Sequence, residues 1–109
     1  GLICAISDRD TIIAAAGSGR RELMGKQISA ELERIMNGRK IYQHTGGAPA
    51  VPVTDGAELS TVIAAPILSE GDLLGLVLFI SPTPETASGE AEFKLAQASA
   101  LFLGRHMES

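Results

Sequence analysis

TVIAAPILSEGDLLGLVLFIS, residues 61–81, holds two long apolar runs on either side of Ser69-Glu70-Gly71-Asp72. Both runs are rich in Val, Ile, Leu and Phe, and Gly71 is free to take the positive φ that a tight turn demands and other residues resist, so the stretch reads as a β-hairpin. In the second arm Leu74, Leu76, Leu78 and Ile80 alternate onto one face, and Leu73, Val77 and Phe79 onto the other with Gly75 between them. A strand that is apolar on both sides belongs at the centre of a sheet, and something must cover each face. The rest of the chain is read for what those covers are.

At 109 residues the chain makes one domain, residues 1–109, able to bury roughly two-thirds of its unfolded surface without staples. It has one cysteine, Cys4, so no internal disulfide can form, and an intracellular, cytoplasmic setting is expected. The apolar runs are of strand length, well short of the ~20 residues of a membrane helix, so no membrane partner is expected. The net charge is −4, and the cationic residues are scattered, with no group tighter than Arg20, Arg21 and Lys26. That is not the basic stripe with which a domain binds DNA by itself. The chain opens on Gly1 and enters an apolar run at once, which reads as a fragment of a longer protein.

Upstream of the hairpin, residues 2–6 and 11–16 are short apolar runs separated by Ser7-Asp8-Arg9-Asp10, a second hairpin with Asx-type turn residues. Ala14, Ala15 and Ala16, like Ala64 and Ala65, are small where bulk is expected. They fit either close packing of a helix on the sheet or a cavity kept open for a ligand. Ser18 is expected to cap a short helix over residues 20–24, ended by Gly25. Ser29 is expected to cap a second, with Glu31 and Glu33 at its positive end, Leu32, Ile35 and Met36 on its apolar face, and Asn37-Gly38 closing it. Residues 39–44 read as a third strand. Residues 45–59 are rich in Gly, Pro and Ala; Pro49 and Pro52 confine any strand near Val51 and Val53 to an edge, and a loop of this length reads as a binding flap.

Downstream, Pro82 and Pro84 stop the sheet and Ser88 is the expected N-cap of a last helix running to about Met107, with Glu90 and Glu92 in its first turn. Its apolar residues form two stripes. Ala91, Leu95, Ala98 and Phe102 make one; Phe93, Ala96, Ala100, Leu103 and Met107 make the other, with Ala96, Ala100 and Gly104 four apart. One stripe suffices for the sheet. The second, with its small residues, is assigned to a neighbouring helix, either from upstream in the same chain or from a second subunit. On the dimer reading, Ala100→Glu leaves the fold intact and yields a monomer.

Little chemistry is available for catalysis. His44 and His106 sit on separate elements, and neither they nor Cys4 have metal-ligand spacing, so no metal and no cofactor are expected. Gly17-Ser18-Gly19 is neither a nucleophile turn nor a full dinucleotide fingerprint, and Asp8 with Asp10, or Glu90 with Glu92, read as turn and helix-start residues. No enzyme is indicated. The polar residues able to face a site beneath the 45–59 flap are Lys26, Arg39, Tyr42 and Ser60.

ISDRDTIIAAAGSGRRELMGKQIS at 6–29, APILSEGDLLGLVLFIS at 65–81 and LAQASALFLGRHME at 95–108 together resemble a GAF domain, the sensory module related to PAS. More particularly, they resemble the C-terminal GAF domain of a family of AbrB-like bacterial sporulation regulators. That resemblance implies an α+β fold: an antiparallel sheet of five to six strands, order 2-1-5-4-3, with flanking helices on one face. It further implies an upstream swapped-hairpin DNA-binding domain absent from this chain, and association of subunits through helices beside the sheet. The Asn-Lys-Phe-Asp-Glu signature of cyclic-nucleotide-binding GAF domains is missing, as Asn37 precedes Gly38. The bilin-attachment Cys-His pair is missing too, and one cysteine cannot serve the disulfide cycle of the methionine sulfoxide reductases built on this fold. The expected function is a regulatory sensor that binds an unknown small molecule, forms a homodimer or a higher oligomer, and meets DNA only through the absent domain. The alternative is a ligand-free module that dimerises or tetramerises the regulator.

Overall fold

The computed structural model describes residues 2–45, 48–56, 58–83 and 89–106. The elements in chain order are β1 (Ile3–Ser7), β2 (Ile12–Ala16), α1 (Arg20–Leu23), α2 (Ala30–Asn37), β3 (Tyr42–Gln43), β4 (Ser60–Ser69), β5 (Asp72–Ser81) and α3 (Glu90–His106). The strands form one five-stranded sheet of order β2-β1-β5-β4-β3, every neighbouring pair antiparallel, so the α+β class and the strand order hold. The hairpin of β4 and β5 is its spine. Glu70 (φ 51) and Gly71 (φ 86) both turn left-handed, as a two-residue turn with the twist of its flanking strands requires.

The two faces of β5 carry two separate cores, with one change from the simple alternation. Leu76, Leu78 and Ile80 face one way and Val77 and Phe79 the other, but Leu73 joins the first set and Leu74 the second. The register shifts between Ile67 and Leu68: Ile67 pairs with Gly75 and Leu68 with Leu73, leaving Leu74 as an extra residue that reverses the phase. Gly75 follows because β1 crosses close by. A Cβ there would overlap the Ser7 carbonyl oxygen and lie 2.9 Å from the Asp8 Cα.

Helices cover both faces rather than one. On the first face lie Leu23 of α1 and Leu32 and Met36 of α2, packed with Ile12, Ile28 and Ala64. Ser29 caps α2 as expected, accepting from the Leu32 N–H at 3.1 Å. Two other helix ends differ. The cap of α1 is Gly19, itself left-handed (φ 92), and Ser18 makes no capping bond. After α2, Gly38 stays right-handed and Arg39 takes the positive φ (58); its guanidinium donates to the Gly71 carbonyl.

Within residues 45–59, Val51, Pro52, Val53 and Leu59 are anchored rather than flap-like. The Thr61 N–H donates to the Val51 carbonyl and the Val53 N–H to the Leu59 carbonyl, so this stretch continues the edge of β4 beyond β3. From the other side the Ser29 N–H donates to the Val53 carbonyl and the Ser29 hydroxyl to that of Pro52. Val51, Val53 and Leu59 thereby enter the first core. The third strand is short, two residues instead of six, although the His44 N–H still bonds the Val62 carbonyl.

Candidate ligand and assembly site

The second face of the sheet belongs to α3, which lies across β4 and β5. Its cap position is Gly89, whose carbonyl accepts from Phe93 N–H and whose own N–H donates to the Glu92 carboxylate at 3.1 Å, half of a capping box. Ser88, like Met107, lies outside the described residues. The helix meets the sheet with the stripe that sequence reading assigned to a partner. Ala96, Ala100 and Gly104 are buried, with Phe93 and Leu103 half-buried beside Val77, Phe79, Ile63 and Ala65.

Close approach to backbone is the reason. A Cβ on Gly104 would overlap the Leu68 carbonyl oxygen and lie 3.2 Å from its carbon, so small residues four apart let α3 rest on β4 itself. Phe93, Ala96, Ala100 and Leu103 are therefore occupied within the chain. Ala100→Glu would bury a charge against the sheet and disrupt the fold rather than release a folded monomer. The other stripe faces outward. Ala91 and Ala98 are exposed, and Leu95, Phe102 and neighbouring Leu101 are 58%, 60% and 64% exposed, with Phe102 stacked on His106 at a centroid distance of 4.1 Å.

α3 covers β4 and β5, and no other element among the described residues covers the same face of β1 and β2. An apolar groove of about 320 Å³ runs there, floored by Cys4, Ala14 and Ala16 and walled by Phe79, Leu95 and Leu103. The small side chains of β2 thus border a groove, while Ala64 and Ala65 are fully buried and serve close packing. Cys4 is solvent-exposed at the groove, and partial burial pushes its thiol above the ordinary value, away from the reactive thiolate.

The four polar residues expected under residues 45–59 are dispersed. Lys26 is exposed beside Ile12, bonded through its carbonyl; Arg39 is exposed at the turn of the central hairpin; Ser60 is buried at the start of β4, opposite Ser81 and Pro52. Tyr42 is half-buried, its hydroxyl 3.3 Å from His44 Nδ1. Burial first, and the nearby Glu31 carboxylate second, push the Tyr42 phenol above its ordinary value. Sequence reading passed over His44 and Thr61 as site residues. Both are buried, and His44 Nε2 and Thr61 Oγ1 have no hydrogen-bond partner among the described residues. Only three-dimensional pairing exposes such a group; a histidine next to a strand carries no signal of it. Among the described residues there is no metal-binding cluster and no helix long and apolar enough to cross a membrane.

The family described as stage V sporulation protein T C-terminal, a transcription factor, matches residues 1–108. The chain belongs to that family. Stage V sporulation protein T of Bacillus subtilis (strain 168) is 35% identical over 109 residues, an alignment that takes in 98% of this chain and 58% of the relative. The chain thus spans somewhat over half the length of the curated relative that it matches. The match falls on the C-terminal domain of that family, whose description is that of a transcription factor.

Proposed function

We propose that this chain is the regulatory, GAF-like part of a cytoplasmic sporulation regulator, joining subunits through the outward stripe of α3 and answering to a small molecule held beneath residues 45–59. The observation that carries the reading is the outward side of α3: Leu95 and Phe102 of the stripe and Leu101 next to it stand exposed, and Leu95 also walls the apolar groove. Burying one such side chain is worth about 1.5–3 kcal/mol, so three support association once the cost of bringing two bodies together is met. The ligand half rests on His44 and Thr61, which like Ser7 hold a buried polar atom without a partner among the described residues; such atoms are nearly always partnered, and a bound polar molecule is one way to supply the partner. DNA is contacted by the upstream domain that the resemblance implies. Ligand occupancy biases the arrangement of α3, and with it the placing of the readers, provided the ligand prefers one arrangement.

One observation favours the second reading, an assembly module without a ligand. Residues 51–53 are clamped between β4 and Ser29, and none of the cavities found is lined by more than one of Lys26, Arg39, Tyr42 and Ser60. Native mass spectrometry of the purified domain, followed by denaturation and analysis of what is released, separates the two. A dimer carrying a defined small mass supports the sensor; a dimer still empty after challenge with cell extract leaves assembly alone; an empty monomer refutes both.

A further inference from the structure

β2 is a terminal strand of the sheet, so one of its edges has no strand beside it. Residues 25–27 cover that edge only at its start: Thr11 bridges Gln27, the Ile12 N–H donates to the Lys26 carbonyl, and the Gly25 N–H donates to the Ile12 carbonyl. Over residues 13–16 the edge meets no other described strand or loop. Terminal strands in natural sheets are usually guarded by charge, proline or a covering element, and a row of free backbone donors and acceptors otherwise recruits another chain. The side chains here are Ile13, 46% exposed at an irregularity in the pairing with β1, and three alanines.

A trough of about 610 Å³ lies along this edge, lined by Ile13, Ala14, Ala15, Met24, Arg20 and Arg21. Met24 is 45% exposed, and Arg20 and Arg21 are exposed and form no ion pair among the described residues. These two residues are adjacent cations in a chain whose net charge is −4. Backbone edge, apolar floor and two arginines outside any described ion pair therefore coincide in one place, with Glu22 the acidic residue of the same short helix. From this juxtaposition we propose that the β2 edge over residues 13–16 is a docking site for an extended, acidic segment of a partner protein, which adds to the sheet as a further strand. Backbone bonds to the edge give affinity, alternate apolar side chains reach Ile13 and Met24, and carboxylates meet Arg20 and Arg21. A second copy of this chain is the poorer occupant, because pairing β2 with β2 brings the same two arginines of each copy to one interface. This site is separate from the α3 stripe and from the 45–59 site, and it stands or falls without them.

The test uses the 109-residue domain and two synthetic probes, an alternating Glu-Val peptide and its Lys-Val counterpart. Titration of the Glu-Val peptide is expected to give saturable, salt-weakened binding, and hydrogen exchange is expected to slow at the amides of residues 13–16. Arg20→Glu/Arg21→Glu should weaken Glu-Val binding about tenfold or more and turn preference toward Lys-Val. Ile13→Lys, at an exposed position, should weaken binding while circular dichroism shows the fold intact. The proposal is overturned if Glu-Val binding leaves exchange at 13–16 unchanged, or survives the double charge reversal. It is equally overturned if protection there grows with protein concentration and no peptide, which assigns the edge to a second copy, or if duplex DNA binds through the same arginines and the peptide does not.

Discussion

Replacing Gly104 with alanine is expected to destabilise this domain, against the ordinary behaviour of helices. Glycine inside a helix is about 0.8–1.0 kcal/mol less favourable than alanine, so on propensity alone the substitution helps, although less in a last turn. Here the added methyl has no space. Its carbon would overlap the carbonyl oxygen of Leu68 and sit 3.2 Å from the carbonyl carbon, and both belong to the backbone of β4, which its ladder to β5 holds in place. Relief requires lifting the end of α3 from the sheet, which loosens Ala100 and Leu103 against β4 and β5. Overpacking costs about 1–3 kcal/mol, and a clash with backbone that cannot swing aside falls in the upper part of that range, about 2–3 kcal/mol. Set against the propensity gain, the expected net loss is about 1–2 kcal/mol, read as a lower urea midpoint with an unchanged slope and a fall in Tm of roughly 4–15 °C. Ala98→Gly, on the exposed stripe of the same helix, is the control and should lose only the propensity of about 1 kcal/mol. A Gly104→Ala variant as stable as the parent, or more so, would refute the close seating of α3 on β4.

Two further outcomes follow from the turn and from the tyrosine. Glu70 is a non-glycine residue held at φ 51 in a two-residue hairpin turn, and Glu70→Asn places there a residue that tolerates this region, so thermal denaturation should show a gain of about 0.5–1 kcal/mol. Tyr42 is the one tyrosine and there is no tryptophan, so its tyrosinate absorbance reports a single group. Its raised pKa means that the native state holds the proton more tightly than the unfolded state. The stability it contributes is present below about pH 10 and lost as pH rises through the native value. Ionisation should occur at higher pH in the folded than in the urea-unfolded domain, and Glu31→Gln should narrow the gap without closing it, because burial is the larger cause.

The fold was legible where local pattern and long-range demand agree. Alternation across residues 61–81 marks a central hairpin, and Ser29 with Glu31 and Glu33 marks a helix start that the structure keeps. What the pattern could not fix is pairing. The reversed phase at Leu73 and Leu74 comes from one unpaired residue, which depends on how β4 lies against β5 and not on the composition of either. Ser18 has the chemistry of a cap, but the left-handed Gly19 turns the chain before it can act. The two stripes of α3 are alike in apolarity, and spacing alone cannot say that the small one approaches a strand rather than a second helix. Gly104 held the decisive signal, since a glycine in the last turn of a helix, in line with two alanines, marks contact with backbone. Tyr42 was within reach of sequence reasoning, whereas the unpartnered nitrogen of His44 appears only when its surroundings are assembled.

Association through the outward face of α3 is tested most directly by sedimentation equilibrium of the domain beside a Leu101→Glu/Phe102→Glu variant. Both positions are exposed, so the variant should keep its fold by circular dichroism. The expected result is a dimer for the parent and a folded monomer for the variant; a parent that stays monomeric at every accessible concentration, or a variant that remains dimeric, would contradict it.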